Sequence, residues 1–145
     1  MFSQEEIIFD AAKAFRKAFE ATALPLRTLT FESFPAGACG DTSDLLGIYL
    51  SETLGISPMY FWGTDGEQSH AWLQHDGLII DITADQFAGN QSIIVTRDSP
   101  FHLRFKIEGQ RNAEITGFFA ANLRHDYQLL KDFANNNFCS AAIEK

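Results

Sequence analysis

Cysteine and positive charge are both scarce in this chain, and each scarcity removes a class of protein. The two cysteines, Cys39 and Cys139, lie 100 positions apart, and no CxxC occurs. That is too few for a disulfide framework and the wrong spacing for a zinc site, so neither a metal nor a cofactor is called for. Lys and Arg number 11 against 19 Asp and Glu, for a net charge of -8. Nucleic acids and anionic membrane surfaces attract Lys and Arg clusters, so neither is an expected partner. No window approaches the roughly 18 consecutive apolar residues of a membrane-spanning helix. Met1 to Asp10 carries acids where a secretory leader would carry basic residues followed by an apolar stretch. Cytoplasmic residence is the resulting expectation, with signal-less export left open.

What is abundant is bulk. The hydrophobic fraction is 46%, and 14 Phe raise the aromatic share to 13%, so the core should be large-ringed. A length of 145 residues fits one domain spanning 1–145, able to bury about two-thirds of its unfolded surface without cross-links.

Ser3 is a good N-cap, with Glu5 and Glu6 where the helix dipole favours carboxylates. Ile7, Ile8, Ala11, Ala12, Phe15, Ala18 and Phe19 recur at helical spacing, which predicts a helix over 4–21 that ends before Pro25. Arg27 to Phe34 alternates and is rich in β-formers until Pro35 closes it. Pro35 to Gly40 is a turn, after which Leu45, Leu46, Tyr49, Leu50 and Leu54 predict a helix over 41–54 with Gly55 as its stop. Strands are expected over 59–63, 69–75, 78–83, 92–96 and 102–107. A last helix is expected over 118–133, ended by Asn135 to Asn137. The order predicts one α+β domain, with helices first and last around an antiparallel sheet.

Cys39 follows a glycine-containing turn and precedes a patterned helix, so its sulfur should lie near the helix N-terminus. There the dipole and free N–H groups favour a thiolate and can receive an oxyanion. By position alone, however, a small buried hydrophobe is the commoner role of a free cysteine. His70 and Asp81 change the balance. If Asp76-Gly77 forms a two-residue hairpin loop, His75 opposes Leu78. Trp72 then opposes Asp81, and His70 opposes Thr83. These four side chains share a face, with His70 and Asp81 as diagonal neighbours. Asp81 sits in the apolar run Leu78 to Thr83, where an unpaired carboxylate is costly. A catalytic and a purely structural His70–Asp81 bond are equally compatible with that pattern.

Residues 39–83 resemble the core of the transglutaminase-like, papain-related superfamily. Cys39 and its helix match the nucleophile helix, and Leu54-Gly55-Ile56-Ser57-Pro58 is similar to the turn that ends it. Met59 to Gly63 matches the next strand. Ser69-His70-Ala71-Trp72-Leu73 resembles the histidine strand, and Ile80-Asp81-Ile82-Thr83 the aspartate strand. The resemblance covers about a third of the chain, with four pieces in the right order and spacing. It implies a papain-like fold with a nucleophile helix on an antiparallel sheet. It also implies Cys39 as nucleophile, His70 as base and Asp81 as the orienting acid. The implied activity is that of a cysteine peptidase, amidase, deamidase or acyltransferase acting on a protein, peptide or small amide. The chain is much shorter than calcium-dependent transglutaminases and lacks a calcium loop. It also lacks the Arg-Gly-Gly approach to the cysteine of arylamine N-acetyltransferases.

Two other readings stand beside this one: a non-catalytic binding or immunity-type module on the same fold, and a secreted effector that deamidates a host Gln or Asn. Gln86 is a turn residue or a site-lining donor. Trp72 is a cleft wall or packs on the helix, and Ser43 is solvated helix surface. His75, His102 and His125 read as ordinary exposed or half-buried histidines, and Cys139 as part of a polar tail. Substrate preference is expected in the loops over 63–69, 87–91 and 97–101.

Overall fold

A computed structural model describes residues 2–143 of the chain, and the side chains of residues 2–137. Helix α1 spans Gln4–Glu20, opened by a capping box in which the Ser3 hydroxyl accepts from the Glu6 N–H and the Glu6 carboxylate accepts from the Ser3 N–H. Helix α2 spans Cys39–Leu54 and stops at Gly55, whose φ of 71° is left-handed. It starts earlier than its apolar face suggested, so Cys39 is itself the first helical residue. The remaining elements are β1 (Met59–Asp65), β2 (Gln68–His75), β3 (Leu78–Asp81), β4 (Ile94–Thr96), α3 (Pro100–Leu103), β5 (Lys106–Asn112) and α4 (Ala120–Ile143).

The strands form one antiparallel sheet in the order β4-β3-β2-β1-β5. Asp76 (φ 49°) and Gly77 (φ 79°) both take positive φ in the β2–β3 turn, as a tight hairpin loop requires. That turn sets His75 opposite Leu78 and Leu73 opposite Ile80, the register expected from Asp76-Gly77. Leu73, Leu78 and Ile80 therefore join Ile8, Phe15, Tyr49 and Leu50 in the helix-side core. Alternation sends His70, Trp72 and Asp81 to the opposite face. That face is not open: His70, Trp72, Asp81 and Thr83 are all buried, with Phe101 and Phe105 packed against the His70 ring.

Three local expectations are corrected. The β-rich stretch before Pro35 becomes a 3-10 turn over Leu29–Phe31. The buried Asp126 carboxylate takes the N–H groups of Arg27 and Thr28 at 2.8 and 2.7 Å, donors that a strand ladder would need. The strand expected over 102–107 begins only at Lys106. Ser99 caps the short helix α3 by accepting from the His102 N–H, and Pro100 stands in its first turn. Helix α4 runs through Asn135 to Asn137 rather than stopping there. Asn135 is engaged by the Tyr49 hydroxyl at 3.2 Å, and the Asn137 amide donates to the Phe133 carbonyl at 2.9 Å. The tie from Tyr49 anchors the helix to α2 at the point where the asparagines would otherwise favour a stop. The side chain of Cys139 lies outside the described residues.

Among the described residues, no helix is long and apolar enough to cross a membrane.

Gly63 marks the register shift between β1 and β5. A Cβ there would lie 2.6 Å from the Lys106 carbonyl oxygen, a backbone atom that cannot swing aside. Gly63→Ala should therefore cost about 1–3 kcal/mol, as overpacking does. Urea denaturation should show a lower midpoint with an unchanged slope.

Candidate functional site

Helix α2 begins without a side-chain cap, in contrast to α1. The N–H groups of its first turn are consequently not claimed by a Ser, Thr, Asp or Asn at the cap position. Cys39 stands at that uncapped tip. Its thiol shares a cleft of about 390 Å³ with Gly40, Tyr60, Trp62, Gly63, Thr64, Ser69, His70, Ala71 and Arg111. Helix α2 and strands β1, β2 and β5 thus contribute one wall each. Cys39 is partly exposed, whereas His70 is 2% exposed and Asp81 2%. The thiol meets the cleft while the groups behind it are sealed from water.

His70 Nε2 lies 2.6 Å from Asp81 Oδ2. The other carboxylate oxygen accepts from the Thr83 N–H at 2.8 Å. With Nε2 committed to Asp81, Nδ1 is the ring nitrogen left for the thiol. The structure thus brings Cys39, His70 and Asp81 together. Burial pushes the Cys39 thiol up, but hydrogen bonding and charge from His70, with the Ala71 backbone, carry it below its ordinary value. Burial likewise opposes a charged His70, yet hydrogen bonds and negative charge from Asp81 and Cys39 raise its pKa to about 9. The thiol and the imidazole each favour the other's ionised form, which is the electrostatic basis of a thiolate–imidazolium pair.

A group that the sequence left aside joins them. His102, expected to be an ordinary histidine, is buried, and its Nε2 lies 2.7 Å from the same Asp81 oxygen. Its Nδ1 meets the Ser99 hydroxyl at 2.5 Å. With Nε2–H given to Asp81, Nδ1 accepts from that hydroxyl, and the ring is fixed at both ends. Burial pushes Asp81 up, but the hydrogen bonds from His102 and His70 hold it far below the usual carboxylate range. The Ser99-Pro100 cap was the available signal that residue 102 belongs to a tight turn rather than a strand.

Two imidazoles and a carboxylate are also the residue types that bind transition metals, and their ligand atoms all lie within 4.8 Å of one another. At 2.6 and 2.7 Å from one oxygen, however, both Nε2 atoms are at hydrogen-bond length. A cation would need the rings and the carboxylate to part, with each ligand roughly 2.0–2.2 Å from the ion.

The lesser candidates resolve individually. Gln86 sits in a 3-10 turn after β3, donating to the Thr83 carbonyl at 3.1 Å with His70 Nδ1 3.5 Å away. Trp72 packs against His70 and His102, with ring centroids 5.8 and 5.0 Å away, and does not wall the cleft. Ser43 is buried and donates to the Ala71 carbonyl at 3.4 Å, so it is not solvated surface. His75 pairs with Asp76 and His125 with Asp126, both away from the cleft. Of the expected specificity loops, only the first reaches the cleft, through Gly63, Thr64 and Ser69. Phe87 and Phe101 instead pack on the His70 ring, at 5.1 and 5.9 Å. Tyr60 and Arg111 also line the cleft, and no motif in the sequence pointed to either.

Comparison of the chain with protein-family models, with curated proteins and with solved structures gave no match.

Asp81→Ala would strand two imidazole N–H groups and the Thr83 N–H in a sealed site. The expected loss is about 3–5 kcal/mol, as for breaking a buried pair, measured by chemical denaturation near neutral pH. Because the folded Asp81 pKa is depressed, its contribution is complete above the ordinary value of 3.8 and lost as pH falls below it. The variant should therefore show a shallower fall of stability in acid than the parent.

Proposed function

We propose that this chain is a cysteine-nucleophile enzyme that breaks or exchanges amide-type acyl bonds on a transglutaminase-like, papain-related core. One observation carries the reading. His70 stands between a cleft-facing thiol, whose pKa it lowers, and a buried carboxylate that holds its far nitrogen. A structural His–Asp pair has no need of a thiol at an uncapped helix tip beside an open cleft.

In this mechanism His70 and the thiol form the ion pair, and the Cys39 sulfur attacks a substrate carbonyl. The His70 imidazolium protonates the leaving amine, and a thioester remains on Cys39. Water then releases the acid, or an amine takes the acyl group. Asp81 stays ionised throughout, fixing the ring so that Nδ1 faces the sulfur. His102 and Thr83 fix Asp81 in turn. The substrate class is a protein, peptide or small amide, and the site of action is the cytoplasm. Neither nucleic acid nor membrane enters the scheme, in keeping with the charge of -8.

Iodoacetamide should alkylate Cys39 in the native protein with an apparent pKa below the ordinary thiol value of 9.0. His70→Ala removes the largest lowering influence and leaves burial opposed only by the Ala71 backbone, so the alkylation midpoint should rise above that of the parent. Cys39→Ala should abolish both labelling and amidase or acyltransferase activity. Labelling of Cys139 with a silent Cys39 would overturn the assignment, and an unperturbed Cys39 thiol would favour the binding-module reading instead.

A further inference from the structure

We propose that the Tyr60 hydroxyl is an oxyanion donor for acyl transfer to Cys39, held in place by Arg111 and Asp44. The inference rests on Cys39 being the nucleophile, and it assigns the electrophilic side of the same cleft.

Tyr60 comes from β1, yet its hydroxyl reaches over the first turn of α2. A Cβ on Gly40 would lie 3.1 Å from it, so the absence of a side chain at the residue after Cys39 leaves the hydroxyl its place. Cys39, Gly40 and Tyr60 line the same cleft. Among the described residues this hydroxyl has no hydrogen-bond partner, although the ring is half-buried. Burial, with the nearby negative charges of Asp44, Cys39 and Asp41, pushes its pKa up to about 12 against the opposing Arg111. The phenol therefore keeps its proton and can donate it.

The ring is clamped. The Arg111 guanidinium lies over it, 3.9 Å from the centroid, in cation–π geometry. Arg111 is fixed by two hydrogen bonds to the Asp44 carboxylate, at 2.8 and 3.0 Å. Asp44 is a buried residue of α2, the helix that carries Cys39, and it also accepts from the Glu114 N–H at 3.0 Å. Arg111 thus spends its charge on Asp44 and acts as a brace between the ring and the nucleophile helix, not as a receptor for a substrate carboxylate. A donor held this way is preorganised, so little reorganisation accompanies the reaction.

In the step itself the sulfur pair forms the S–C bond and the carbonyl π pair moves onto oxygen. That oxyanion accepts from the Tyr60 O–H and from first-turn N–H groups of α2. When it collapses, the C–N or C–O bond to the leaving group breaks, and the leaving group takes the His70 proton if it needs one. Tyr60 ends as it began.

Two probes on the full chain separate this role from others. Acylation by p-nitrophenyl acetate passes through an oxyanion, whereas alkylation by iodoacetamide displaces iodide at a saturated carbon and does not. Tyr60→Phe should slow Cys39 acylation, followed by p-nitrophenolate release and the acetyl thioester, by about 10²-fold. Iodoacetamide alkylation of Cys39 should change less than about twofold, the split expected of a group that acts only on the oxyanion. Gly40→Ala keeps the hydroxyl but crowds it, and should reproduce the split in weaker form. Unchanged acylation in Tyr60→Phe, or equal losses with both probes, overturns the proposal. If the parent protein shows neither acylation nor alkylation at Cys39, the nucleophile assignment fails and takes this one with it.

Discussion

The interaction on which the site depends is a sealed carboxylate with two imidazole donors. Asp81 projects from β3 into a buried space, only 2% exposed, and an unpaired charge there would cost more than the domain can spare. Nε2–H groups of His70 and His102 satisfy one oxygen, and Thr83 the other. Each partner depends on a different piece of chain: His70 on the hairpin, His102 on the capped turn after β4, Thr83 on the exit of β3. Folding of all three is therefore coupled to ionisation of a single group.

That arrangement also orients the imidazole toward the thiol. Phe87, Phe101, Phe105 and Trp72 pack around the His70 ring, leaving its Nε2 to Asp81 and its Nδ1 edge to the cleft side, where Gln86 also approaches. The low-dielectric wall strengthens each electrostatic contact inside it. The segment between β4 and β5 is thus a cover for the histidine more than a boundary of the cleft beside Cys39.

Ion pairs then tie the site to the helices. Arg16 of α1 is buried and donates to both oxygens of Asp85 and to the Ile82 carbonyl, pinning the chain just after Asp81. Arg111 bonds Asp44 while covering Tyr60, pinning β1 and β5 to the helix that carries Cys39. Both guanidiniums make bidentate pairs, a geometry that fixes orientation as well as distance.

Much of this was legible in the residues. Short-range chemistry decides helix caps, the Asp76-Gly77 turn and strand alternation, and these placed His70 and Asp81 on one face and Cys39 at the start of a helix. The sequence by itself determined the α+β composition, the hairpin register and the pairing that a carboxylate in an apolar strand demands. It did not reveal His102, because a hydrogen bond between residues 81 and 102 depends on how an intervening loop returns across the sheet. Nor did it reveal the Tyr60–Arg111–Asp44 brace, whose members come from β1, β5 and α2. Tertiary packing alone decided those contacts, since side chains distant along the chain meet only after sheet order and helix docking have set their positions.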